Sequence, residues 1–412
     1  MQAGRLAGAC RVYPGLRVRS LAAGAALFLA CAALLGTNFM QPGFSESVVF
    51  TGLTNPTVVR FLPDGSVLVA EKSGLLKLFP NLTTNSYTVV ADLSSEVHNY
   101  WDRGMLGMTI DPDFANNHLV YVLYAYDAPI GGTPPTWGDQ CPSPPGGTTD
   151  GCVISGRLSK LTAVGTDWTA SETPLINDWC QQFPSHSIGS LEFGADGYLY
   201  VTGGDGASWT NADWGQFGGT SGSPPPTPAN PCGDPPFPVG TPQTKPTAEG
   251  GALRSQSHLR TAGEPRVLNG AVLRIDPATG LAAPDNPLIG SGDLNEQRII
   301  GYGLRNPFRM TIKPGTNEIW ISDVGWNSRE EINRVPDITT ARNYGWPCYE
   351  ANLTQPNYVD ANICPKNYSD TEAPYFFYAH SSSVVPGDGC PVGSSSVAGL
   401  AFYLGASNYP SS

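Results

Sequence analysis

The sequence predicts an all-β fold of the six-bladed β-propeller type, and three observations support this prediction. First, the 412 residues include 48 Gly and 38 Pro while only 14% are charged, which indicates a turn-rich globular chain of many short strands. Second, one hairpin pattern recurs along the chain. Third, no segment shows helical periodicity beyond a turn or two.

The recurring pattern joins a turn rich in Pro, Asp and Gly to a run of alternating apolar residues. This combination is typical of a β-hairpin. A β-sandwich or several small β domains would contain similar turns, but repetition of one hairpin type at intervals of about 50 residues or more favours propeller blades. The repeats are FLPDGSVLVAEKSGLLKLF (61–79), IDPDFANNHLVYVLYAYD (110–127), FGADGYLYVTGGD (193–205) and IKPGTNEIWISDVG (312–325).

Two irregular segments, 126–152 and 206–265, interrupt the repeats. They show neither the helical nor the strand periodicity of apolar residues. We interpret them as insertions in a propeller domain that spans residues 41–412. The chain ends on SSVAGLAFYLGASNYPSS, which begins another apolar strand without a closing partner. Because a propeller needs closure to remove its open sheet edges, we expect a C-terminally truncated sequence with an incomplete ring.

Residues 1–40 have the features of a signal peptide or an N-terminal anchor. Four arginines, with no acidic residue, precede the apolar run LAAGAALFLACAALLG (21–36), as in secretory leaders. Loss of these four charges would change the formal net charge from −12 to −16. We therefore expect a secreted, periplasmic or extracellular protein. Its acidic body argues against nucleic acid as a partner, and it would meet a membrane only through the possible anchor.

Seven of the nine cysteines follow this leader, and six of them form three successive pairs, two that bracket irregular segments and a third whose members lie close together. In an exported chain this spread predicts disulfides that fasten loops, and no C-x-x-C pair indicates a metal cluster. The connectivity stays open, and Cys390 is left over. The six are Cys141, Cys152, Cys180, Cys232, Cys348 and Cys364.

Candidate chemistry lies just outside predicted strand ends, where propeller loops converge on the central channel. Arg305 suits a carboxylate-bearing ligand as a bidentate donor, with Asn306 as its neutral neighbour. The backbone carbonyls of Gly325 and Trp326 suit a hard cation such as Ca²⁺. From these residues alone, a surface arginine and an ordinary turn are the simpler explanation. His186, ahead of a strand, is likewise either a loop residue or a base.

Five motifs, in this order, resemble the glucose/sorbosone dehydrogenase family from about residue 47 to the last residue. Members of that family are soluble quinoprotein aldose dehydrogenases, six-bladed propellers that use pyrroloquinoline quinone (PQQ) and Ca²⁺. The motifs are WDRGMLGMTIDPDF (101–114), HSIGSLEFGADGYLYVTGGDGAS (186–208), GYGLRNPF (301–308), DVGWNSREEIN (323–333) and NYGWP (343–347).

The resemblance implies roles for individual residues. His186 corresponds to the family's general base. Arg305 and Asn306 correspond to residues that contact PQQ, and the carbonyls of Gly325 and Trp326 correspond to ligands of Ca²⁺. A histidine with an ordinary pKa near 6.5 suits the removal of a proton from a sugar hydroxyl.

Several positions depart from the family. Asp102 stands where close relatives have a sugar-contacting Gln, so the resemblance makes it a candidate substrate-binding residue. Ser185 stands where the family often has Asp, which predicts a base without an orienting carboxylate. Asp205 is expected to shape the loop beside His186.

Other residues of the motifs are interpreted as structural. Trp101 and Trp320 are expected in the blade core or at a blade interface. Glu330 and Glu331 are expected in a solvated turn, with a contribution to a metal site as the alternative.

The implied function is oxidation of the anomeric carbon of an aldose to a lactone, with PQQ as hydride acceptor and an external electron acceptor. A non-catalytic extracellular propeller that binds a protein or glycan is the alternative, and the Pro/Cys-rich insertions support it. A Ca²⁺-dependent hydrolase such as a lactonase is a third possibility. The combination of Arg305, Asn306 and His186 argues against that third possibility.

Overall fold

Four sheets, built mainly from consecutive antiparallel strands, make up most of the regular structure. The computed structural model describes residues 46–236, 238–384 and 396–404. Residues Val49–Leu404 belong to one unit by their contacts. The predicted leader (1–40) and Cys390 lie outside the described residues. No helix within the described ranges has the length and apolar character needed to cross a bilayer.

The strands follow one another in chain order. The first sheet contains β1 (Pro56–Phe61), β2 (Val67–Glu71), β3 (Leu75–Phe79) and β4 (Thr88–Asp92). The second contains β5 (Met105–Ile110), β6 (Leu119–Tyr126), β7 (Ile154–Thr162) and β8 (Thr173–Gln181). The third contains β9 (Ile188–Phe193), β10 (Leu199–Gly203), β11 (Ala271–Ile275) and β12 (Ile299–Tyr302).

The fourth sheet is interrupted before its last strand. It begins with β13 (Pro307–Ile312), β14 (Ile319–Asp323) and β15 (Arg329–Val335). Next, β16 (Arg342–Asn343) pairs in parallel with β12 of the third sheet, and β17 (Tyr349–Glu350) pairs with β18 (Leu353–Thr354). Finally, β19 (Phe376–Ala379) pairs with β15 and completes the fourth sheet.

Helical structure is short. The α-helices α1 (Phe114–Asn117) and α2 (Leu294–Arg298) are single turns. Three 3₁₀ segments and one π-helical turn complete the set for the described residues, namely Thr169–Ser171, Gly251–Leu259, Tyr368–Asp370 and Gly146–Asp150. The prediction of an all-β chain without long helices is therefore confirmed for the described part, whereas a ring of six blades stays a prediction.

Neighbouring sheets pack face to face, because their middle strands are apolar on both faces. In β6, Val120 and Val122 lie in the core shared with the first sheet, while Tyr121 and Leu123 lie in the core shared with the third. Side chains alternate between the two faces of a strand, so one strand contributes to two cores. A third core joins the third and fourth sheets in the same way.

The first strands of the four sheets, β1, β5, β9 and β13, lie next to one another. Arg60 of β1 pairs with Glu192 of β9 at 2.6 Å, and Arg309 of β13 donates to the Thr57 carbonyl of β1 at 3.2 Å. These strands line a cavity of about 430 Å³ together with residues 398–401. Each also carries a register irregularity near its beginning. Bulges at such positions re-aim side chains beside binding sites.

The long connections lie at one end of these sheets. Strands β5, β6 and β7 alternate in direction, so the β6–β7 connection (127–153) lies at the end where β5 begins. Strands β9, β10 and β11 also alternate in direction, so the β10–β11 connection (204–270) lies at the end where β9 begins. We call this end, where β5, β9 and β13 begin, the site face.

Three disulfides fasten the irregular segments, as the cysteine distribution predicts. They join Cys141 to Cys152 within the β6–β7 connection and Cys180 at the end of β8 to Cys232 in the β10–β11 connection. The third joins Cys348 to Cys364 in the segment between β16 and β19. Such bridges restrict long loops that have little regular structure of their own.

Candidate functional site

Three backbone segments meet at the site face, those that precede β9 and β13 and the one that follows β10. The Asp205 N–H donates to the Arg305 carbonyl at 2.9 Å, and the Gly206 N–H donates to the His186 carbonyl at 2.9 Å. Gly204 permits this approach, because a Cβ there would lie 2.3 Å from the His186 carbonyl oxygen. The fold thus brings His186 and Arg305 together across 119 positions of sequence.

His186 is held by a buried carboxylate. Its Nδ1 lies 2.9 Å from Oδ1 of Asp205, and the other carboxylate oxygen of Asp205 accepts a hydrogen bond of 2.8 Å from Nε1 of Trp346. His186 is 4% exposed and Asp205 is fully buried. The expectation that His186 lacks an orienting carboxylate is therefore wrong. Ser185 has no carboxylate, but Asp205, which follows β10, provides one.

The pair has a defined protonation pattern. Burial lowers the pKa of His186, the charge of Arg305 lowers it further, and Asp205 opposes both. Burial raises the pKa of Asp205, but attraction to His186 and Arg305 outweighs burial, so the pKa lies below its ordinary value. With Asp205 ionised and the imidazole neutral, the Nδ1–H group of His186 would donate to the Asp205 carboxylate. In the described ranges, Nε2 has no hydrogen-bond partner and is free to accept a proton.

Arg305 places its guanidinium beside this pair. Nη1 donates to the carbonyls of Val324 at 3.0 Å and Gly325 at 2.7 Å, and the guanidinium carbon lies 5.5 Å from the centre of the Trp346 ring. Arg305 is 6% exposed, and within the described ranges its buried Nε has no partner. A buried donor without a partner costs free energy, so this atom is a candidate for ligand contact.

Asn306 is fixed through its backbone. The N–H groups of Arg305 and Asn306 donate to the two oxygens of the Asp323 carboxylate at 3.0 and 2.6 Å. The Asn306 carbonyl accepts from the Val324 N–H at 3.1 Å. In the described part of the chain, its side-chain amide makes no hydrogen bond and is available to a ligand.

The turn that carries Gly325 and Trp326 is organised by Glu350. One oxygen of the buried Glu350 carboxylate accepts from four successive N–H groups, those of residues 326 to 329, at 2.8 to 3.1 Å. Gly325 is required by close approach, since a Cβ there would lie 1.5 Å from the Arg329 carbonyl oxygen. The Trp326 indole donates to the Trp209 carbonyl at 3.2 Å.

Asp102 lies at the rim of the same site. It is exposed, and its N–H donates to the Pro184 carbonyl, two residues before His186, at 3.3 Å. The neighbouring Trp101 is 46% exposed and therefore does not lie in the blade core, one of its two expected positions.

Glu330 and Glu331 lie in β15 and are buried, which overturns their expected position in a solvated turn. The sequence REEIN is polar, which suggests an exposed segment. However, β15 is an inner strand of its sheet, between β14 and β19. Glu330 pairs with His380 at 2.6 Å, and Glu331 accepts from the Asn333 amide at 3.0 Å. Partners distant in sequence, such as His380, make this burial possible.

Two residues that position the site have no predicted role from the sequence, Trp346 and Glu350. Trp346 belongs to the NYGWP motif, which was the available signal. Glu350 follows in an irregular segment, and nothing in its sequence context indicates that it binds a turn 21 to 24 residues earlier.

A family model and several curated proteins match the sequence. The family model of glucose/sorbosone dehydrogenases matches residues 53–219 and 251–406. The aldose sugar dehydrogenase of Escherichia coli (strain K12) is 23% identical over 337 residues, which are 81% of this chain and 69% of that protein. A Synechocystis relative is 22% identical over 315 residues, which are 74% of this chain and 60% of that protein.

Two solved structures share the fold. The PQQ-bound aldose sugar dehydrogenase of Streptomyces coelicolor superimposes with a TM-score of 0.50 at 17% identity, covering 81% of this chain and 71% of its own. An oxidoreductase of Thermus thermophilus, described as a glucose dehydrogenase, superimposes with a TM-score of 0.51 at 22% identity. The match covers 80% of this chain and 72% of that one. Because the family model spans most of the sequence, the chain belongs to the glucose/sorbosone dehydrogenase family.

Proposed function

We propose that the protein is a quinoprotein oxidoreductase that oxidises the anomeric carbon of an aldose to a lactone, with PQQ as hydride acceptor and His186 as general base. One observation carries the proposal: Asp205 binds Nδ1 of His186, while Nε2 is free, within the described ranges, beside a buried arginine. Family membership supports the reaction class.

The proton chemistry follows from the pair. A neutral imidazole held at Nδ1 presents the lone pair of Nε2 to the anomeric hydroxyl, and takes its proton as the C–H bond breaks. Asp205 stabilises the imidazolium that forms, since it remains a carboxylate. When bound, PQQ would take up the hydride as a two-electron acceptor.

The residues present fit PQQ. The cofactor carries three carboxylates and flat rings, and the buried Arg305 has an Nε without a partner in the described ranges, next to the Trp346 ring. We propose that Arg305 and Asn306 contact the cofactor. An arginine fork suits carboxylate or quinone oxygens, and the side-chain amide of Asn306 adds a neutral donor.

Calcium fits less completely. Carbonyl oxygens of the kind offered by Gly325 and Trp326 are ligands that Ca²⁺ prefers. The Gly325 carbonyl already accepts from Arg305, and the described residues contain no group of three His, Cys, Asp or Glu suited to a metal. The two carbonyls remain our candidates for Ca²⁺, and the proton step above does not require them.

Asp102 would accept a hydrogen bond from a sugar hydroxyl, because in the described chain its exposed carboxylate has no hydrogen-bond partner. An external electron acceptor would reoxidise the cofactor. We place the protein in the periplasm or outside the cell, where the three disulfides would persist. Disulfide-fastened loops around the site also favour the second candidate, a non-catalytic propeller that binds a protein or glycan.

Reconstitution tests the proposal. The chain is titrated with PQQ in the presence and absence of Ca²⁺, and the reduction of a dye by glucose and other aldoses is followed. We expect saturable PQQ binding and aldose-dependent dye reduction. A chain that binds no quinone and reduces no dye would support the non-catalytic alternative.

A further inference from the structure

The cavity bordered by the first strands is separate from the site at His186. It has a volume of about 430 Å³ and is lined by residues of β1, β5, β9 and β13 and by residues 398–401. None of His186, Arg305 and Asp102 lines it. One lining residue, Glu192, follows the start of β9 by four positions, which places it about 13 Å along the strand from the site face. The cavity therefore offers space for a ligand apart from the site at His186.

The charged side chains that line this cavity give it a positive charge. Among the described residues they are Arg60, Glu192 and Arg309. Arg60 pairs with Glu192 at 2.6 Å. Arg309 donates to two backbone carbonyls, those of Phe308 at 2.9 Å and Thr57 at 3.2 Å, and has no carboxylate partner in the described part of the chain. Two arginines and one glutamate sum to +1, whereas the whole chain carries −12.

Arg309 is a cation whose charge the described residues do not compensate. Burial and repulsion from Arg60 lower the pKa of Arg309 to about 10, and attraction to Glu192 offsets this only in part. A guanidinium with that pKa stays cationic at neutral pH. A partly buried charge costs free energy unless an opposite charge lies close to it. A bound anion would provide the opposite charge.

The hydrogen-bonding groups of the cavity also suit an anion. Within the described ranges, the Nε atoms of Arg60 and Arg309 donate no hydrogen bond. The side-chain hydroxyls of Ser190 and Thr311, which line the same cavity, likewise have no hydrogen-bond partner there. Guanidinium and hydroxyl groups donate to the oxygens of phosphate and carboxylate groups, and an arginine does so with charge assistance. These donors favour an oxyanion over a metal cation.

We propose that the cavity lined by Arg60, Glu192 and Arg309 is a binding site for a small oxyanion, a phosphate or carboxylate group. Through Arg60 and Arg309 the anion would contact both β1 and β13, and would therefore connect the first sheet to the fourth. A ligand that binds only the folded chain stabilises it. The inference does not depend on the proposed function, because binding in this cavity requires neither PQQ nor turnover.

The test measures binding of inorganic phosphate and of citrate to the 412-residue chain by calorimetry, against sodium chloride at matched ionic strength. We expect saturable binding of at least one anion, and the one that binds identifies the group. Arg309→Gln should weaken that binding about tenfold or more, because it removes a charged donor. Arg334→Gln is the matched control, since Arg334 lies in β15 outside the cavity, and it should change the affinity less than about twofold.

Glu192→Gln gives a change of opposite sign. It removes the negative charge from the cavity and frees Arg60 from its ion pair. We expect oxyanion binding to tighten about threefold to tenfold. Damage to the fold would weaken binding, so a tighter complex distinguishes the charge of the cavity from a structural effect.

Arg305→Gln separates this cavity from the proposed cofactor site, whose buried arginine could also attract an anion. Binding that is lost in Arg305→Gln but kept in Arg309→Gln would overturn the cavity site. The same conclusion follows if neither anion binds. Circular dichroism checks that each variant is folded. If Arg309→Gln does not fold, Glu192→Gln decides: tighter binding supports the site, and unchanged or weaker binding rejects it.

Discussion

The two ring nitrogens of His186 have different surroundings. Nδ1 contacts the carboxylate of Asp205, whose pKa burial raises but attraction to His186 and Arg305 lowers overall, whereas Nε2 has no hydrogen-bond partner in the described ranges. Burial and Arg305 both lower the pKa of His186, so the imidazole stays neutral, and able to accept a proton, to a lower pH than an ordinary histidine. The pKa of the proposed base therefore depends on Asp205 and Arg305, which lie 19 and 119 positions along the chain from His186.

Replacing Asp205 by Asn tests this arrangement. The carboxylate raises the pKa of His186, so its loss should move the acid limb of the kcat/KM profile to lower pH. Loss of orientation should also lower kcat, by about tenfold to a hundredfold. The check is the pH profile of the reconstituted protein, with Asp113→Asn in an exposed turn as control. An acid limb that moves to higher pH would contradict the electrostatic account.

At the scale of elements, the sequence predicts strands better than connections. Alternating residues around PDG and ADG turns correctly indicate β2 and β10, because local turn chemistry and pleat alternation determine a hairpin. The contacts of Trp346 and Glu350 could not be predicted. Both lie in an irregular segment whose path depends on tertiary hydrogen bonds, and no periodicity reports those.

The turn from Gly325 to Arg329 gives a prediction at this scale. Gly325→Ala would place a methyl group against the Arg329 carbonyl, so we expect the free energy of unfolding to fall by about 2–4 kcal/mol. Gly290 has open space around its Cα, and Gly290→Ala should change that free energy by less than about 0.5 kcal/mol. Urea denaturation of the two variants measures both values. Similar stabilities would show that the turn relaxes without cost.

For the molecule as a whole, inter-sheet packing accommodates buried acids beneath the site. Burial raises the pKa of Glu331 to about 7, and burial together with Glu331 raises the pKa of Asp323. As pH rises, the unfolded chain releases these protons near its ordinary carboxyl pKa values of about 4, before the folded chain does. The contribution of Glu331 to the free energy of unfolding is therefore greatest below about pH 4 and is lost as pH rises to about 7, and that of Asp323 changes in the same direction.

Glu331→Gln should remove this dependence. From pH 5 to pH 8, the free energy of unfolding of the wild type should decrease. We expect the decrease in the Glu331→Gln variant to be smaller by about 1–3 kcal/mol. Denaturation at the two pH values provides the measurement, and Glu46→Gln, at an exposed position, is the control. A wild type and a Glu331→Gln variant with parallel pH dependence would refute the burial of a protonated carboxyl.

The fold class and the family could be predicted from sequence, because repeated hairpins and five ordered motifs carry that information. Burial of Glu330 and Glu331 and exposure of Trp101 could not, since both depend on which face of a sheet meets a neighbour. The described part of the chain contains four sheets of four or five strands, and the ring of six blades stays a prediction.

The central claim is that His186 acts as a base beside a quinone site, and His186→Ala tests it most directly. Dye reduction by the preferred aldose and PQQ affinity are measured for this variant and for His118→Ala, at an exposed histidine outside the site. The account predicts a loss of about 10²–10⁴ in kcat for His186→Ala, with PQQ affinity within about threefold of wild type, and no loss for His118→Ala. Full activity in His186→Ala would contradict it.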